Sequence, residues 1–149
     1  FLYEWTGENI LTAPISGVNE STWEHMKLIF FPMFFFALVQ SFFFKDRSDF
    51  WCVKLKGTLL GLALIPALFY GYNALLGKSP DWINILIFFV SAAILYIAEW
   101  IMFYKPKPCE YTRAAFTARL GIGLLVVFFT FKTPELGIFK DPITGTYGI

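Results

Sequence analysis

An all-α bundle threaded through a lipid bilayer is the fold class that three features of this sequence predict. Apolar residues make up 57% of its 149 positions and charged ones only 15%, where soluble domains run at about 25% charged. Its 19 phenylalanines exceed what one small soluble core can hide, because small domains have too much surface for their volume. The apolar residues also gather into stretches at about 23–44, 55–76, 82–104 and 114–131. Each is near the roughly 20 residues a helix needs to cross a hydrocarbon layer about 30 Å thick.

Helices are expected because lipid offers no partner to open backbone groups, and the short alternating segments of a barrel are missing. The chain is read as one integral membrane domain, 1–149, with four complete spans. The opening "FLYEW" is read as the end of a further, truncated first span. A net charge of +1 supplies no basic face, so membrane lipid is the expected partner and nucleic acid is not.

Orientation follows from the basic residues. Lys45, Arg47, Lys54 and Lys56 lie between the first two spans, and Lys105, Lys107 and Arg113 between the last two. On the other side the loop and tail carry Lys78, Lys132 and Lys140. Basic loops stay cytoplasmic. A multi-pass cell-membrane protein is therefore expected, with loops 45–54 and 105–113 inside and residues 6–22, 77–81 and 132–149 outside. Trp5, Trp23 and Trp82 then mark the outer interface, and Trp51, Trp100 and Tyr104 the inner one. Cys52 and Cys109 fall on the inner side, where thiols stay reduced, so no disulfide is expected. Neither has metal-type spacing.

The outer side concentrates its titratable groups in "NESTWEHMK", residues 19–27. Ser21 and Glu24 form the S-x-x-E pattern of a capping box, and Glu20 and Glu24 suit the positive end of a helix dipole. Asn19-Glu20-Ser21 also matches the glycosylation pattern, but its overlap with the cap argues against its use. His25 and Lys27 are harder to place, because the dipole opposes cations at a helix start. Three roles compete for the cluster. One is an ion-pair and capping network; another is a catalytic site with His25 as acid or base and Glu20 or Glu24 orienting it. The third, a metal site, is ranked last, since a lone histidine without a paired spacing gives little ligand chemistry. Lys27, Asn19, Asp141 and Tyr147 are candidate ligand-binding residues, and no motif names a cofactor.

The segments "SGVNESTWEHMK" and "YEWTGEN" and the tail "DPITGTYGI" together resemble a family of small, uncharacterised bacterial multi-pass membrane proteins. The resemblance runs over nearly the whole chain. It implies a fold and a membrane location but no activity. It also draws attention to the tail, whose Pro134, Gly137, Pro142, Gly145 and Gly148 mark turns. The tail is expected to pack over the outer mouth of the bundle near His25.

A second polar set lies toward the inner ends of the spans. Glu99 and Arg119 are expected to pair within the membrane, with Gln40 joining by hydrogen bond, since ionisable groups in a span face a partner or a cavity. Gly57 and Gly61 form a G-x-x-x-G, and Ala63, Ala67 and Gly71 repeat small residues at every fourth position; such stripes let helices approach closely in lipid. Two function classes follow. One is a membrane protein whose outward site of Glu20, Glu24, His25 and Lys27 binds or processes a lipid-like or amphiphilic ligand. The other is a transporter or an accessory subunit using the Glu99–Arg119 pair, which with so few spans requires a homo-oligomer.

Overall fold

The computed structural model describes residues 2–77 and 80–148; Lys78, counted above for the outer side, lies outside the described residues. The elements are α1 (Leu2–Trp5), α2 (Thr22–Phe43), α3 (Phe50–Leu76), α4 (Asp81–Tyr104) and α5 (Thr112–Phe131), followed by a 3₁₀ turn at Gly137–Phe139. Helices α2 to α5 are long and apolar enough to cross a membrane. The protein is an all-α membrane bundle, and the expected end of an earlier span is the four-residue α1. Large apolar side chains such as Phe35, Phe43, Phe89, Trp100 and Leu124 point outward, where a lipid belt would receive them.

Helix α3 is the central element, packed against α2, α4 and α5. Its closest neighbour is α4, because two glycines remove side chains from the contact. A Cβ on Gly61 would come within 2.6 Å of Leu95, and one on Gly57 would overlap the Glu99 carboxylate. The rest of the proposed stripe does not take part: Ala63 and Ala67 are exposed, and a Cβ on Gly71 would meet nothing within 4 Å. Ala63 is two residues past Gly61, about 200° around the helix, so the stripe starting at 63 faces away from the one starting at 57. Gly123 plays the same part for α5, accepting the ring of buried Phe30.

Three sequence expectations are corrected. Helix α3 begins at Phe50, not near 55, because Phe50, Val53 and Lys54 all turn into the bundle and are buried. The loop assigned to 45–54 therefore ends at Asp49, whose carboxyl is held below its usual range by a hydrogen bond from Arg47. Cys52 then sits on the first turn of α3, and the loop after α4 returns Cys109 to it; the two form a disulfide with Cα atoms 6.5 Å apart, inside the usual span. Finally, Glu99 pairs with Lys54 and not with Arg119.

Gly57→Ala should destabilise the detergent-solubilised protein by about 1–3 kcal/mol, the usual cost of forcing volume into a packed contact, while Gly71→Ala leaves it unchanged. Thermal unfolding of the two variants side by side checks this.

Candidate functional site

The segment 19–27 divides into two groups that face opposite ways. Glu24 and Lys27 are three residues apart and share the inner face of α2. Lys27 Nζ lies 2.5 Å from Glu24 Oε2 and also donates to the Ala13 carbonyl at 2.7 Å and to Thr130 Oγ1 at 3.1 Å. Three acceptors satisfy its three protons. Glu24 in turn accepts from the Val18 N–H and from Thr130. Lys27 is fully buried and pins the 6–16 segment and the end of α5 to α2. That accounts for a cation at a helix start. The cap is only half a capping box: Ser21 Oγ accepts from the Glu24 N–H, but Asn19 Oδ1, not Glu24, takes the Ser21 N–H.

His25 faces the other way, into a cleft lined by Glu20, Thr22, His25, Asn84, Ile65, Phe69, Ile87 and Phe88. Helix α3 is its floor, and α2 and α4, which touch little, are its walls. The four polar residues form the rim and the four apolar ones the throat. Ile65 lies well inside α3, eleven residues from Leu76, which is about 16 Å of helix. The cleft thus runs from the rim to near the middle of α3. It measures about 300 Å³ including its open mouth, and it is narrow, with free room for about one water.

At the rim, His25 Nδ1 is 3.0 Å from the Ser21 carbonyl, and Nε2 is 3.7 Å from Glu20 Oε2. A carbonyl only accepts, so Nδ1 carries a proton and the backbone itself orients the ring. Glu24 has no part in that. Glu20 is 58% exposed and His25 22%, so both can meet a ligand. Thr22 Oγ1, the hydroxyl nearest the histidine in sequence, donates toward Tyr70 at 3.5 Å. The arrangement presents an imidazole edge and a carboxylate at the mouth of an apolar cleft.

The remaining ligand candidates serve the fold. Asn19 donates to the Gly148 carbonyl. Asp141 is buried and accepts from the Ile143 N–H and Thr144 Oγ1 within its own turn, and Tyr147 pairs with Lys140 in a single bridge. The tail does cover the His25 end of the bundle, but through Phe139, whose ring lies 4.6 Å from Trp23 and 5.6 Å from Phe129. Trp23 and His25 are two residues apart, hence about 200° around the helix, so the tail covers the flank of α2 away from the cleft.

The inner polar set is a buried cluster of which the sequence shows only part. Lys54 Nζ and Glu99 Oε2 are 2.5 Å apart, each side chain 3% exposed, and the rings of Phe50, Tyr96 and Phe103 lie 5.5–6.0 Å from the ammonium. Arg119, fully buried, donates to the Met33 carbonyl at 2.8 Å and lies over Phe34. It still attracts Glu99 electrostatically. Gln40 makes no hydrogen bond through its carbonyl oxygen. Lys54 escapes a reading by hydropathy because it precedes the apolar run and looks like the end of a loop. Its spacing from Gly57 and Thr58, three and four residues on, is the available sign that it shares their face.

Residues 1–149 match a family described as a family of unknown function, DUF6512, and the chain belongs to that family. No curated protein and no solved structure matches it.

Two cations share one carboxylate in the inner cluster, so its members are not equivalent. Glu99→Gln leaves both cations unopposed and should cost about 3–5 kcal/mol, as breaking a buried pair does. Lys54→Met leaves one cation with one anion and should cost clearly less. Chemical or thermal unfolding in detergent ranks the two.

Proposed function

We propose that this member of DUF6512 is a small integral membrane protein that binds an amphiphile in the cleft between α2 and α4, with the head at His25 and Glu20 and the chain in the throat. One observation carries the proposal: a polar rim set directly on an apolar cleft that reaches Ile65 in the middle of α3. Ligand sites are commonly concave and apolar with a few placed polar groups, and this one has that division along the membrane normal. Binding is favoured over catalysis. The base is present, but the neighbouring hydroxyl of Thr22 is directed at Tyr70. Of the two carboxylates weighed for a relay, Glu24 is spent on Lys27, while Glu20 stands 3.7 Å from Nε2, beyond hydrogen-bond reach.

The cleft faces outward in this proposal. Support comes from Lys45, Arg47, Lys105 and Lys107 in the loops at the other end, which basic-residue bias keeps in the cytoplasm. The Cys52–Cys109 bond counts the other way, since cellular thiols would reduce it on a cytoplasmic side. The inner cluster is assigned a clamp role, holding α3 to α4 where they are closest, with no transport step built on it.

A photoactivatable alkyl-diazirine amphiphile in nanodiscs tests the cleft. Labelling should map to Phe69, Ile87 and Phe88, and Ile65→Trp, which fills the throat, should abolish it, while Ala63→Trp on the exposed face should not. Labelling spread over Phe35 and Phe89 and indifferent to Ile65→Trp would contradict the proposal.

A further inference from the structure

We infer that the cleft selects single-chain amphiphiles whose head is a primary ammonium; this rests on the amphiphile cleft proposed above and adds the chemistry of its head group. The Ser21 carbonyl accepts from Nδ1 of His25 at 3.0 Å as well as from its backbone N–H at 3.2 Å, and a carbonyl cannot donate. In the neutral ring that leaves the lone pair on Nε2, which faces Glu20 Oε2 at 3.7 Å. With the ring in that form, two acceptors sit side by side at the rim. A group bearing two N–H donors bridges them, and a positive charge on it answers the Glu20 carboxylate. Hydrogen bonds to charged partners are the stronger kind.

The surroundings favour the same head. Lys27, the nearest cation in sequence, is fully buried and spent on Glu24, Ala13 and Thr130, so it supplies no positive charge to the rim. A carboxylate or phosphate head would meet Glu20 and the Nε2 lone pair, and would be repelled. Below the rim, Ile65, Phe69, Ile87 and Phe88 offer only apolar contact. The cleft is narrow, with free room for about one water, so a single unbranched chain suits it better than a ring or a second chain.

The chain has one histidine, so ring-labelled histidine gives one set of NMR signals. In phosphatidylcholine nanodiscs, dodecylammonium should shift those signals at a concentration about tenfold or more below that of dodecanoate, a gap worth about 1.4 kcal/mol. Dodecyltrimethylammonium, which has the charge but no N–H, should need more than dodecylammonium. Glu20→Gln, a change at an exposed position, should erase the preference. The unliganded neutral ring should show its proton on Nδ1. Equal responses to ammonium and carboxylate, both lost in Ile65→Trp, would overturn the head-group inference and leave the cleft standing. Equal responses to the two ammonium probes would overturn the bridging geometry. No response to any probe would overturn the cleft itself.

Discussion

Lipid offers no partner to a charged side chain, and that constraint sorts the polar residues of this protein. An ion taken out of water costs several kcal/mol unless another group in the protein compensates it. Glu24 and Lys27 meet the demand at one end of the bundle, Lys54 and Glu99 at the other, each pair at 2.5 Å. What remains accessible after that pairing is informative. His25 and Glu20 are close, both reachable from solvent, and lie where α2 opens toward an apolar cleft.

The two buried pairs also set the geometry of the cleft. Lys54 and Glu99 join α3 to α4 where Gly57 leaves room for the carboxylate. Further along, Gly61 admits Leu95, and the core of Ile29, Met33, Ile65 and Leu95 closes the space between α2, α3 and α4. Toward the His25 end no such glycine contact draws α2 and α4 together. The walls diverge above Ile65, and the throat opens there. The tail seals the opposite flank of α2 through Phe139, Trp23 and Phe129, so the outer end is covered on one side and open on the other.

Much of this is legible in the residues. Composition and segment length give the class, since four apolar runs each about as long as a bilayer is thick are what spanning helices require. The importance of 19–27 is legible too, but not its division, because adjacent charged residues can face opposite sides of a helix and only packing decides which. Glu24 and His25 are neighbours in the chain and strangers in the fold. Arg119 looks like the natural partner for Glu99 by charge and depth. Lys54 takes that place because α3 extends a turn further than its apolar run suggests, and helix ends are where sequence patterns are least sharp. The Cys52–Cys109 bond is hidden for the same reason. With a sequence separation of 57, only the early start of α3 and the returning loop bring the thiols together.

The sorting of charge into paired, dry groups and one open rim can be measured directly. In nanodiscs, the protein is treated with a water-soluble amine acylating reagent and, separately, with diethyl pyrocarbonate, and the modified residues are mapped by mass spectrometry. His25 should react, and Lys27 and Lys54 should stay unmodified while exposed Lys45, Lys132 and Lys140 are acylated. Acylation of Lys27 and Lys54 at the rate of those surface lysines, with His25 protected, would contradict the account.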